Sequence, residues 1–273
     1  VFDQRHSPIG DGDTAIFNGV LSLDLVPHSL QLIGVGPGDP ELLTIAAVRA
    51  IEVADVVAYP VARANANGMA WSIASRWIRS DQRRLPLLFP MIAEAEPRLQ
   101  AWRHAADALA SLARLGQAVV LLCEGDASLF ATSSYVQLAL RHRHPDVPFK
   151  VIPGISSVCA AAAACAEVAI DWPLALQQDG LLIRPCPDHE PDLAHLLDLA
   201  NASSMVLALI KLGQRWPWVR SCLERRQLLD CSLFAQRVGW PDQVLARAID
   251  IPAETKPYFS MLLVRQTWPE VLP

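Results

Sequence analysis

The chain has 273 residues, enough for one large domain or two small ones. Hydrophobic residues make up 52% of it and the formal net charge is −5, which provides a generous core and argues against a nucleic-acid partner, whose binders carry a basic field. That balance leaves room for an anionic small molecule, because a few Arg and Lys can line a cleft on an acidic protein.

Residues 1–29 carry Asp, Gly, Ser and Pro with little periodicity and read as a mobile N-terminal extension. They lack a basic stretch followed by an apolar one, so no secretory signal is expected. From Gln31 the character changes: Leu32, Ile33 and Val35 form an apolar strand that runs into GVGPGD (Gly34–Asp39). Asp39 offers an N-cap and Pro40 suits a first helical position, so a helix is predicted over Glu41–Val53, followed by a strand at DVVAYP that ends at Pro60. Strand, helix, strand implies a right-handed βαβ unit in a parallel sheet. A helix over Glu94–Leu115 precedes the strand AVVLLCEGD, and the helix after Ala131 leads to the strand FKVIPG. The first half is therefore an alternating α/β unit, assigned to residues 30–154.

The stretch Ile155–Ile170 is rich in alanine, interrupted by Glu167 and shorter than the about 20 apolar residues that span a membrane, so it reads as a buried helix and no membrane partner is expected. Beyond it come the strand LLIRP, a helix near Asp192–Leu199, the strand MVLALIKLG, a helix over Val219–Arg226 entered through Trp-Pro-Trp, and strands at SLFAQRV and YFSMLLV. These irregular connections describe a mixed α+β unit, residues 155–268. The six cysteines are scattered without CxxC or zinc-spaced histidines, which fits buried thiols and a reducing cytoplasm. His142 and His144 lie two apart in a predicted helix and cannot share a face, so no metal site is expected.

Three loops carry the candidate chemistry. GVGPGD brings backbone close to a ligand, but its glycine spacing and Pro37 do not match the dinucleotide-binding fingerprint. EGDASLF (Glu124–Phe130) ends an apolar strand and presents a carboxylate; VIPGISS (Val151–Ser157) presents Ser156 and Ser157 at a helix mouth. Each also reads as a capped turn. Their common feature is that each leaves a strand at the C-terminal edge of the sheet, where open α/β sheets bind ligands.

Together, GVGPGDPELLT, CEGDASLF, VIPGISS, IKLG and PYFSMLLV resemble the tetrapyrrole (corrin/porphyrin) methylase family over Gln31–Arg265. The resemblance implies two α/β domains, usually in a homodimer, with S-adenosylmethionine in the cleft between them. It places Pro37, Gly125, Asp126, Ala127, Phe130, Ser156, Ser157, Leu212 and Ser260 at the cofactor. ADVVAYPV and RLPLLFPM point to the branch that methylates the C-20 meso carbon of precorrin-2, or its cobalt form, in cobalamin biosynthesis. Asp126, a carboxylate in a cleft motif, is the candidate base for the meso proton. Arg63, Arg84, Lys211 and Arg215 are candidate partners for the ring carboxylates. Ala127 and Ala131, often proline and glycine or serine in the family, leave open a catalytically silent relative that binds cofactor or tetrapyrrole; methylation of another ring carbon is the other competing reading.

Overall fold

The computed structural model describes residues 30–63 and 66–270, so the expected N-terminal extension lies outside the described residues. Strand β1 (Leu30–Gly34) opens the fold. Asp39 accepts the Glu41 N–H as expected, but the turn it caps covers only Pro40–Leu42. Leu43 returns to an extended conformation, and Thr44 caps a separate helix, α1 (Ile45–Val53), by accepting the Ala47 N–H at 3.1 Å. The helix predicted over Glu41–Val53 is thus two pieces, because a second capping side chain lies inside it.

Next come β2 (Val56–Val61), α2 (Met69–Ala74), β3 (Arg83–Leu88), α3 (Ala95–Arg114), β4 (Val119–Cys123), α4 (Thr132–Arg143) and β5 (Phe149–Ile152). Pro60 does not end β2. The strand's register with β4 stops at Ala58, so Pro60 sits where the β4 side needs no ladder donor. The sheet is parallel in the order β3-β2-β4-β1-β5. β1 and β2 are parallel as expected, but β4 lies between them.

Residues on β1 and β4 are buried on both faces, as in strands covered by helices on each side. Leu30, Leu32, Val119 and Leu121 pack against α3 and α4; Ile33, Val120 and Leu122 pack against α1 and α2.

The second half contributes α5 (Ser157–Ala164), β6 (Gly180–Pro185), α6 (Glu190–Ala202), β7 (Met205–Ile210), α7 (Trp216–Arg225), β8 (Ser232–Gln236), β9 (Val244–Arg247) and β10 (Ser260–Val264). Its sheet runs β6-β7-β10-β8-β9; β6 and β7 are parallel and the remaining pairs antiparallel. Leu207, Leu209, Phe234 and Leu262 meet α6 and α7 on one face, while Ala208, Leu233, Ala235 and Met261 meet α5 on the other. α7 starts three residues before its predicted start, because Trp216 is fully buried and its Nε1–H donates to Pro252 O at 2.9 Å. Of the cysteines, Cys123, Cys165, Cys186 and Cys222 are buried, and burial pushes the Cys123 thiol up to about 12.

His144 lies just past the end of α4 and clamps it to α3. Its Nε2–H donates to Asp107 at 2.7 Å, and the Arg143 guanidinium donates twice to the same carboxylate at 2.8 Å. Arg143, opposed by desolvation and helped by His144, holds the Asp107 carboxyl down at about 2. A depressed carboxylate contributes stability in full above its unfolded value near ~4, and loses it as pH falls through the folded value. Asp107→Asn is therefore expected to cost about 1 kcal/mol at neutral pH, discounted for the clamp's exposure. Urea denaturation of both proteins down the pH scale checks this: the gap should close between pH ~4 and the folded value of about 2.

Candidate active site

Because β4, β1 and β5 are neighbours, the loops that follow them emerge side by side. Their backbones are in contact. Gly36 N–H donates to Gly125 O at 3.1 Å and Gly125 N–H returns a bond to Gly36 O at 2.7 Å. A Cβ on Gly34 would lie 2.6 Å from Gly125 O, and one on Gly154 would lie 2.2 Å from the same oxygen. Thr44 at the mouth of α1 also reaches this junction, its hydroxyl donating to Pro153 O at 3.5 Å.

Opposite this edge stand the ends of β7 and β8 and the start of β10, and between the two lies a cleft of about 850 Å³ including its open mouth. Trp240 joins the halves: its Nε1–H donates to Pro37 O at 3.0 Å, and Gly38 has no room for a side chain against the Trp240 ring. Three non-glycine residues in the left-handed region line this cleft, Phe130 (φ 52°), Lys211 (φ 60°) and Arg237 (φ 46°). Such conformations cost on the order of 1 kcal/mol or more each and persist where the surroundings over-determine them, here at a preformed wall.

Asp126 braces two of the loops. Its Oδ1 accepts the Ser128 N–H at 2.8 Å and the Ser128 hydroxyl, and its Oδ2 accepts the Gly154 N–H at 2.9 Å. Desolvation pushes its pKa up, but the Ser128, Gly154 and Leu129 donors together outweigh it and leave the carboxyl below its ordinary value. Two residues earlier, Glu124 also lines the cleft, with Oε1 accepting the Ala70 N–H at 3.2 Å. Burial pushes its pKa up, and its own N–H and that of Ala70 pull it only partly back. Two neighbouring carboxylates are thus driven in opposite directions.

Of the residues expected at the cofactor, Pro37, Gly125, Asp126, Phe130, Ser156, Ser157 and Ser260 line the cleft. Ser156 is at the same time the N-cap of α5, its hydroxyl accepting the Cys159 N–H at 3.3 Å. Two expected residues do not line it. Ala127 is buried behind its loop with Cys123 and Ala131. Leu212 is fully buried in the core of the second sheet; its N–H donates to Ser260 O at 3.0 Å and the Gly213 N–H to the Ser260 hydroxyl at 3.1 Å, which ties that turn to β10.

Among the four expected partners for carboxylates, Lys211 lines the cleft and the other three do not. Arg63 is exposed on the turn after β2. The Arg84 guanidinium stacks 4.5 Å from the Trp71 ring, and Arg215 is held by Asp188 at 2.8 Å. The sequence reading missed Arg237 and Trp240, which follow β8, Tyr258 and Phe259 before β10, and Glu124. Glu124, Tyr258 and Phe259 stand inside motifs singled out from the sequence. Arg237 and Trp240 had no such signal, since Trp240 meets Pro37 across 203 residues of chain.

Among the described residues no group of three His, Cys, Asp or Glu is placed to hold a metal, and no helix is long and apolar enough to cross a membrane.

Residues 29–248 match the family model of the Tetrapyrrole (Corrin/Porphyrin) Methylases. The chain is 30% identical to a precorrin-2 C(20)-methyltransferase of Sinorhizobium sp. over 240 residues, covering 85% of this chain and 93% of the relative. It is 27% identical to a cobalt-precorrin-2 C(20)-methyltransferase of Salmonella typhimurium, covering 88% and 97% of the two chains. In fold it resembles a uroporphyrin-III C-methyl transferase from Thermus thermophilus solved with S-adenosyl homocysteine, with a TM-score of 0.56 and 22% identity over 86% of this chain and 92% of that one. The chain belongs to the tetrapyrrole (corrin/porphyrin) methylase family and is an S-adenosylmethionine-dependent C-methyltransferase.

Proposed function

We propose that this protein methylates the C-20 meso carbon of precorrin-2, or of its cobalt form, in cobalamin biosynthesis. The observation that carries this reading is the similarity to two relatives named for that carbon, over most of their length and of this chain. The cytoplasm and a homodimeric state belong to the same reading, the first on the buried free thiols and the second on family membership.

The cleft fits the cofactor by its chemistry. Gly125, at φ +69°, has open space where a side chain would stand, so its backbone is bare at the cleft wall. Ser156 and Ser157 offer hydroxyls for a polar end, and Ile210, Val238 and Met261 offer an apolar surface for a base. S-adenosylmethionine, when bound, supplies a methyl group already activated for displacement.

What the chain must do is hold two reactants. Fixing partners at near-attack distance supplies roughly 7–11 kcal/mol of barrier reduction. The glycine junction, the Asp126 brace and the Trp240–Pro37 bond make the cleft rigid enough to do so. Apolar walls keep water from solvating a charge that disappears during transfer. Lys211 brings positive charge to the cleft for the carboxylates of the ring.

The test is to incubate the protein with precorrin-2 and methyl-labelled cofactor and follow label in the ring by mass spectrometry. One methyl gained per ring supports the proposal. A protein that binds the cofactor in calorimetry but leaves precorrin-2 and its cobalt form unlabelled contradicts it.

A further inference from the structure

We infer that Glu124, and not Asp126, is the proton acceptor of the methyl transfer, held by the fold at the cleft wall for that purpose. The inference rests on the reading above in one respect: the carbon that is methylated carries a hydrogen which must leave.

Glu124 follows directly on β4 and stands on the cleft wall beside Met69, the first residue of α2. Among the described residues it has no ion-pair partner; its Oε1 accepts one N–H, from Ala70. A carboxylate partly withdrawn from water without a counter-charge carries a cost that falls on its charged form. The bond to Ala70 does not explain the choice of residue, because the amide of a glutamine would accept the same N–H. What a glutamine lacks is the capacity to take a proton.

Asp126 is the contrasting case. Its two oxygens hold three donors that favour the charged form and tie its position to the Gly154 loop. A base so engaged would have to break loop contacts to turn toward a ring. Where two carboxylates in one cleft are pushed apart in pKa, the two take different jobs. The raised one sits closer to neutral pH, where a general base is most effective.

The ring carbon forms its bond to the methyl group while the carbon–sulfur electron pair stays on sulfur. The Glu124 carboxylate takes the proton from the same ring carbon, and the carbon–hydrogen electron pair returns to the ring. Glu124 then releases its proton to water through the open mouth of the cleft. The other titratable or charged groups on the cleft walls are Asp126, Lys211, Arg237 and Tyr258. Asp126 titrates below its ordinary range, and Arg237 is held in an ion pair with Asp242 at 2.7 Å.

The experiment compares the wild type with Glu124→Gln and Glu124→Asp. Turnover at saturating cofactor and precorrin-2 is measured across pH, S-adenosyl homocysteine affinity by calorimetry, and the Glu124 carboxyl on the free protein by carbon-13 NMR, assigned by its loss in Glu124→Gln. The expected result for Glu124→Gln is turnover down ~10²–10⁴-fold with the limb that rises with pH removed, and affinity and melting temperature nearly unchanged. Glu124→Asp should keep part of the rate and the limb. In the wild type the carboxyl should titrate above the ordinary glutamate value of about 4.3.

The inference is overturned if Glu124→Gln turns over at nearly the wild-type rate, or if its loss of rate follows a parallel loss of affinity and melting temperature, as a purely structural role in seating α2 would give. A carboxyl that titrates at the ordinary value also overturns it. A wild type that places no methyl on a hydrogen-bearing carbon defeats the functional reading itself, visible before any variant is made, and the inference falls with it.

Discussion

Gly154→Ala is expected to destabilise the protein by about 3 kcal/mol, at the upper end of overpacking penalties, and to weaken cofactor binding well beyond tenfold. The new methyl would stand 2.2 Å from Gly125 O, 2.7 Å from Gly34 C and 2.8 Å from Gly34 Cα. All three are backbone atoms, so no rotamer relieves the clash and the loops after β1, β4 and β5 must separate. For a chain of this size that corresponds to a fall in melting temperature of roughly 6–12 °C. Gly116→Ala is the control. Gly116 also has backbone strain to impose, at φ +78°, but nothing within 4 Å of a new Cβ, and it ends α3 away from the cleft. It should cost about 1–2 kcal/mol and leave cofactor affinity unchanged. Thermal melts and calorimetry on the pair check both halves of the expectation.

Asp126→Asn is expected to raise the cofactor dissociation constant about tenfold, equivalent to about 1.4 kcal/mol, while turnover at saturation stays within a few fold of wild type. Asparagine carries one oxygen where three donors converge. Whichever way the amide is turned, its NH2 faces either the Gly154 N–H or the Ser128 N–H, donor against donor. An unsatisfied partly buried donor costs ~1–3 kcal/mol, and here the cost loosens the contact between two cofactor loops. A fall in saturated turnover of ~10²-fold or more with affinity unchanged would instead return the base role to Asp126.

Much of this architecture is legible in the sequence. β4 announces itself as an unbroken apolar run and β1 as one interrupted only by Gln31, because helices cover both faces of the first sheet, and glycine-bearing loops mark where they end. What escaped was short or peripheral. β3 and β9 each lie at one edge of their sheet, paired on one side and partly exposed, and neither shows a continuous apolar run; β3 also contains Pro86. α2 spans six residues, too few for a helical period to emerge.

The site divides along the same line. Its glycine loops are visible because only glycine lets backbones approach so closely, and their convergence follows from one topological fact, that β4, β1 and β5 are neighbours. The opposite wall is harder to see. Arg237 and Trp240 gain their meaning from Pro37 and the cleft, contacts that no local pattern encodes. Arg84 and Arg215 looked suitable as carboxylate partners by charge, yet each already has a partner of its own in Trp71 and Asp188. Leu212 belongs to a motif that does border the cleft, but a leucine followed by a turn is drawn into the core, leaving the neighbouring Lys211 at the surface of the site.

The central claim is that this cleft delivers a methyl group to one carbon of a reduced tetrapyrrole. Its most direct measurement is a carbon-13 NMR spectrum of the product formed from precorrin-2 and carbon-13-methyl S-adenosylmethionine. The account predicts one enriched methyl bonded to C-20, with the hydrogen of that carbon gone. An enriched methyl on any other ring carbon, or an unlabelled ring recovered from a protein that binds the cofactor, would contradict it.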